Sequence, residues 1–179
     1  MKKKAIACFA VMIAVLFAAY LIVLAKTDRN IPLLKGISFE DSADTISSQF
    51  GEPIAIVPNK YDMGMTFYEY DLSLLNVDAN VEFAFSEGGL EQAYIYWSLS
   101  TEEEATEMLR LANQEIADAF WWRIDFKQYA PEVHSGYDGE TYKQTLSKLN
   151  TIKQVHYSVK QEGTEVFVRC LGYAGSSTK

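Results

Sequence analysis

TFYEYDLSLLNVDANVEFAFSEGGLEQAYIYWS, residues 66–98, sets the fold class of this protein. From Thr66 to Leu72 the side chains alternate: Tyr68, Tyr70 and Leu72 fall on one side, Glu69 and Asp71 on the other. Val81, Phe83 and Phe85 repeat the two-residue period against Glu82. Glu87-Gly88-Gly89 is a hairpin turn, and Leu90 to Ser98 is the returning strand. Period-two patterning broken by glycine turns is the mark of an antiparallel meander.

Outward from this meander the period changes. Phe39, Ala43, Ile46 and Phe50 step by four, three and four, one face of a helix, with Ser38 and Asp41 as its predicted cap. Gly51 and Pro53 end it. On the other side, Ser100 or Thr101 pairs with Glu103 or Glu104 to open a second helix toward Trp122. Ala105, Met108, Leu109, Ala112, Ile116, Ala119 and Phe120 form its stripe. Residues 131–139 are expected as loop and Glu140 to Leu149 as a short helix. Ile152 to Gln161 and Thr164 to Tyr173 are expected as a second hairpin around Glu162-Gly163. Grouped helices and hairpins predict an α+β domain, an antiparallel sheet packed with two to three helices. The pattern leaves open whether both hairpins share one sheet.

Ahead of the domain, Ala5 to Ala25 is a run of 21 residues without a charge, behind Lys2, Lys3 and Lys4. A helix of that length spans roughly 30 Å, the thickness of a bilayer's hydrocarbon core. Residues 1–25 are therefore expected as a signal-anchor or signal peptide, with the membrane as partner through residues 5–25. The lysines favour the cytoplasmic side, so the domain is expected outside the cytoplasm, single-pass or secreted if cleaved after Ala25. Residues 26–35 are then a linker, 36–173 one extracytoplasmic domain, and 174–179 a flexible tail.

Composition narrows the function. Three of the 16 Lys and Arg lie at positions 2–4, and all 24 Asp and Glu lie beyond residue 27. The exported part thus sets 13 basic against 24 acidic residues, which argues against nucleic acid as a partner. Cys8 and Cys170 cannot form a disulfide framework, and there is no CxxC pair. His134 and His156 lack the short spacing and further ligands of a zinc site, so no metal and no cofactor is expected. No Gly-x-Ser-x-Gly, Walker loop or dinucleotide fingerprint occurs, and no catalytic residue is assigned.

Two stretches remain as candidates. Asp125, Glu132, Asp138 and Glu140 lie near Trp121, Trp122 and Tyr137, a mixture from which glycan-cleaving sites are built. The bland alternative is an acidic loop. Strand 90–98 is apolar on both faces, with Leu90, Tyr94 and Tyr96 on one side and Ala93, Ile95 and Trp97 on the other. Either helices cover both sides, or one side meets a partner. The second option makes Tyr68, Tyr70, Tyr94 and Tyr96 a docking face for an envelope protein, since tyrosines dominate binding hot spots.

Residues 36–97 also carry a phrase: Gly36-Ile37-Ser38, a short helix, Phe50-Gly51-Glu52-Pro53, Tyr68-x-Tyr70, Val81-x-Phe83-x-Phe85, then Gly-Gly-Leu and an aromatic strand. It resembles the helix-plus-meander unit of β-lactamase-inhibitor-like domains and is similar to small envelope lipoproteins of the barrel-assembly type. The resemblance covers about a third of the sequence. It implies a non-enzymatic domain that grips another protein by its sheet face or loops, and it transfers no functional residue. There is no lipobox cysteine, and residues 100–179 follow neither family. The expected function is an exported, membrane-tethered, non-catalytic binding domain. A glycan-acting enzyme using 125–140 and an extracytoplasmic sensor or immunity-type module are the alternatives.

Overall fold

The computed structural model describes residues 9–20, 30–120, 126–129, 138–148 and 151–173. The expected tail, Cys8, His134, Trp121, Trp122, Asp125, Glu132 and Tyr137 lie outside the described residues. Residues 9–20 form helix α1, whose Phe9, Val11, Ile13, Leu16 and Phe17 are exposed. Among the described residues no helix is long and apolar enough to cross a membrane. The ends of the expected span, 5–8 and 21–25, lie outside them.

The protein then runs helix, four strands, helix, four strands. Helix α2 (Ala43–Phe50) precedes β1 (Ala55–Pro58), β2 (Thr66–Leu74), β3 (Val77–Ser86) and β4 (Gly89–Ser98). Helix α3 (Glu102–Phe120) precedes β5 (Phe126–Tyr129), β6 (Asp138–Lys148), β7 (Thr151–Glu162) and β8 (Glu165–Tyr173). All eight strands make one antiparallel sheet in the order β1-β2-β3-β4-β8-β7-β6-β5. Each half is a meander running inward from its own edge, and the two meet at β4 and β8. Both hairpins therefore share one sheet, and the α+β class holds.

One face of the sheet is the core. Val81, Ile95, Val168 and Val159 lie in register across four strands and are all buried. Phe83, Ala93, Cys170 and Tyr157 form the next row. Helix α3 covers β7 and β8 with Ala105, Met108, Ala112 and Ile116, while Leu109 is only partly buried and Ala119 is exposed. Its start is set by Thr101, whose Oγ1 accepts from the Glu104 N–H at 3.2 Å, while Glu104 accepts from the Ser100 N–H at 3.0 Å. Helix α2 lies against β2.

Several expectations change. The cap of α2 is Ser42, which accepts from the Thr45 N–H; Asp41 instead accepts from Ser38 N–H ahead of the helix. Phe39 thus precedes the helix, and it sits so close to β8 that a Cβ on Gly172 would lie 2.7 Å from its ring. Residues 30–35, expected as linker, send Ile31, Leu33 and Leu34 into the core. Residues 140–148, expected as helix, belong to β6, because pairing along the whole of β7 overrides their local helix preference. Leu90 faces the core beside Ala93 and not the side of Tyr94, because the ladder slips there: Phe85 pairs with Leu90 and Ala84 with Gln92, leaving Glu91 as the extra residue of a bulge.

Gly89 locks this bulge to the N-terminal segment. Glu40 N–H donates to Leu90 O and Leu90 N–H donates to Asp41 O, both at 2.9 Å. Gly89 has φ of 101°, and a Cβ there would lie 2.5 Å from the Glu40 carbonyl oxygen. Gly89→Ala is expected to cost about 2 kcal/mol or more in urea unfolding, from left-handed strain plus the clash. Gly88→Ala, which meets only Ser86 Oγ at 3.6 Å, should change little.

Candidate functional site

The other face of the sheet carries neither α2 nor α3. Its residues are set by strand parity and register. Glu69, Glu82, Tyr94, Arg169 and Ser158 lie side by side on β2, β3, β4, β8 and β7. Asp71, Asn80, Tyr96, Phe167 and Lys160 form the neighbouring row.

The connection from β1 to β2 folds onto this face. Asn59, Tyr61, Asp62 and Gly64 all have positive φ, a conformation costly for the non-glycine residues and worst for the tyrosine. Contacts hold the loop in place. Gly64 N–H donates to Asn59 Oδ1 at 2.7 Å, and the Tyr61 ring meets the Phe67 ring edge-on at 5.4 Å. Lys60 reaches down to Glu69 at 2.5 Å and Glu82 at 2.7 Å. Beneath the loop, Met65, Phe67, Ala84 and Tyr94 make a second small core, with Tyr96 and Phe167 packed against it.

A cavity of about 420 Å³ opens between loop and sheet, lined by Tyr61, Met63, Tyr94, Tyr96, Ser158, Phe167 and Arg169. Tyr96 and Phe167 have ring centroids 4.9 Å apart, and the Arg169 guanidinium lies 5.6 Å from the Tyr94 ring centroid. Lys160 Nζ is 4.9 Å from the Phe167 ring centroid. The lining offers aromatic rings, hydroxyls and one guanidinium. Among the described residues the lining contains no histidine, carboxylate or amine. Among the described residues no group of three or more His, Cys, Asp or Glu is placed to hold a metal ion.

The four tyrosines expected to act together do not share a face. Tyr94 and Tyr96 lie on the open face; Tyr68 and Tyr70 point into the helix-covered side. Tyr70 is 2 % exposed and shares a hydrogen bond with Ser47 of α2, and Tyr68 packs edge-on against Phe85. The cause is register: Tyr68 stands opposite Phe83, a core residue, whereas Tyr94 stands opposite Glu82. Tyr94 is itself 6 % exposed and donates to Gln92 Oε1, so it forms floor and not rim. Tyr61, Met63, Ser158, Phe167 and Arg169 join the site without having stood out in the sequence. A partial signal exists for two of them: alternation in β8 puts Phe167 and Arg169 opposite Val166, Val168 and Cys170. Asp138 and Glu140 of the acidic candidate fall in β6, away from the expected loop.

Titration of the site has one sign. Burial pulls the Lys60 ammonium down, but its bonds to Glu69 and Glu82 and the charge of Glu82 outweigh this and hold it above the usual lysine value. Burial pushes up the Tyr94 and Tyr96 phenols, with Arg169 opposing it at Tyr94. In the core, burial pushes the Cys170 thiol up. Each group keeps its proton longer folded than unfolded, so its contribution is complete below the unfolded value and is lost as pH rises. Unfolded values are about 8.5 for the thiol and about 10 for tyrosine and lysine. The melting temperature should fall by at least about 5 °C between pH 8 and pH 10.5. Cys170→Ala should remove the earliest part of that fall, and a flat profile would contradict the burial of these groups.

No protein-family model, curated protein or solved structure matches this protein. The geometry of the open face alone therefore bears on function.

Proposed function

We propose that this protein is an exported, membrane-tethered, non-catalytic binding domain that holds a protein partner on the open face of its sheet, with residues 5–25 as the tether. The observation that carries this is the cavity between the β1–β2 loop and the sheet. One face of the sheet is consumed by core, while the other leaves Tyr96, Phe167, Tyr61 and Arg169 around a recess. Tyrosine and arginine in a partly desolvated pocket are the side chains that dominate protein interfaces. The left-handed loop residues add support, since backbone strain is maintained where surrounding contacts fix a functional shape. Within the sequence-predicted quartet, the docking role narrows to Tyr94 and Tyr96.

The test uses the full-length protein in detergent as bait for envelope extract. Because Tyr94 is floor, the pair to change is Tyr61→Asn with Tyr96→Ser; asparagine tolerates the left-handed backbone at 61. The double variant should melt as a folded protein and recover the parent's partner at least about thirtyfold less, as hot-spot losses of 2 kcal/mol or more require. Equal recovery by variant and parent overturns the proposal.

A further inference from the structure

We infer that the open-face cavity takes a monoanionic carboxylate carried on an apolar or aromatic body, with the carboxylate on Arg169 and Ser158. This inference rests on the binding role proposed above and names the chemistry that the cavity recognises.

Three cations on this face are treated differently; Lys160, beside the Phe167 ring, has Glu162 at 4.0 Å. Lys60 has two carboxylates within 2.7 Å. Arg169 has none among the described residues. Its guanidinium touches the Tyr94 ring, and its Nε is buried without a hydrogen-bond partner. Arg169 is half-buried and lines the cavity, with Tyr94 as its side-chain neighbour and no carboxylate among the described residues to balance its charge, so an anion entering the cavity meets an uncompensated guanidinium. The guanidinium fork matches a planar carboxylate with two parallel bonds, and Ser158, opposite Arg169 in the register, brings a hydroxyl to the same wall.

Charge and shape restrict the occupant further. Glu82 stands two strands from Arg169 in the same row, 6 % exposed, with Oε2 unpartnered. Lys60 offsets only one of the charges of Glu69 and Glu82, and the negative charge left over disfavours a dianion such as a phosphomonoester, whereas the planar fork of Arg169 pairs with a single carboxylate. The remaining walls are Tyr61, Met63, Tyr96 and Phe167, which suit an apolar or aromatic body and leave an isolated small anion without contacts. The same chemistry is offered by a polypeptide terminus, a free α-carboxylate on an apolar last residue, and by an acidic side chain beside an apolar one.

The experiment titrates the full-length protein in detergent with N-acetylphenylalanine, its amide, inorganic phosphate, and an end-blocked peptide with one internal Glu beside Phe. Ligand NMR and calorimetry read the binding. The free acid should bind at least about tenfold tighter than the amide, the size of one charge-assisted contact, and phosphate should not bind. Acid stronger than blocked peptide places the source at a terminal carboxylate; the reverse places it at a side chain. Arg169→Gln should erase the acid-over-amide preference, bringing the two affinities to within about twofold of each other. Equal affinity for acid and amide, preference for phosphate, or no binding of any probe at millimolar concentration overturns the inference. If Arg169→Gln fails to fold, the acid–amide ratio on the parent protein decides alone. Loss of partner capture by the Tyr61/Tyr96 variant together with equal acid and amide affinity would sink only this inference. Unchanged capture with no probe bound would sink both.

Discussion

Trp97→Ala is expected to remove about 3–5 kcal/mol of unfolding free energy, the largest single loss in the protein. Trp97 is the largest of the side chains with no exposure, and it lies where the two halves of the sheet meet. It stands on β4 opposite Val166 of β8, and its Nε1–H reaches the Leu74 carbonyl at 3.4 Å, near the β2–β3 turn. Truncation empties the space of an indole among strands already fixed by their ladders, so the walls cannot close fully. A domain of this size has about 5–15 kcal/mol in total. The variant should therefore unfold at much lower urea, with little change in slope. A loss below about 1 kcal/mol would mean that the junction is not the structural centre.

Lys60→Met is expected to cost about 3 kcal/mol, a value below the fully buried limit because the ammonium is partly exposed. Without Lys60, Glu69 and Glu82 face each other as directly paired like charges on β2 and β3. Glu82 is the more costly of the two, because its second oxygen already lacks a partner. The change also frees the loop whose left-handed residues Lys60 holds against the sheet. Adding Glu82→Gln to Lys60→Met should recover most of the loss, leaving a deficit of roughly 1 kcal/mol, since the stranded charge and not the lost attraction dominates. Urea unfolding of the four proteins of this cycle measures the coupling. Simple addition of the two single losses would show that the three groups act independently.

What could be read from the sequence follows how locally each element is determined. The end of α2 at Gly51, the Thr101–Glu104 cap and the turns at 87–89 and 162–163 depend on a few adjacent residues, and all stand in the structure. β1 and β6 do not. β1 is four residues ending in a proline, too short to show a period. β6 carries Lys, Gln and Leu that suit a helix, and its strand form depends on β7. The site divides in the same way. Tyr94 and Tyr96 could be named because their strand shows both faces apolar. Their separation from Tyr68 and Tyr70 is fixed by cross-strand register, which alternation within one strand does not contain. Arg169 joins them only through the β4–β8 pairing, the longest-range join in the sheet. Tyr61 arrives by a loop in left-handed conformations that its sequence, apart from Asn59 and Gly64, does not announce.

The most direct test of the open face as the binding surface is site-specific photo-crosslinking in the cell that makes the protein. A photoreactive phenylalanine derivative replaces Met63, 43 % exposed at the cavity, or Arg110, exposed on the outer side of α3. Position 63 should yield a discrete protein adduct that disappears with Tyr61→Asn and Tyr96→Ser, and position 110 should yield none. An adduct from position 110 with none from position 63 would contradict the account.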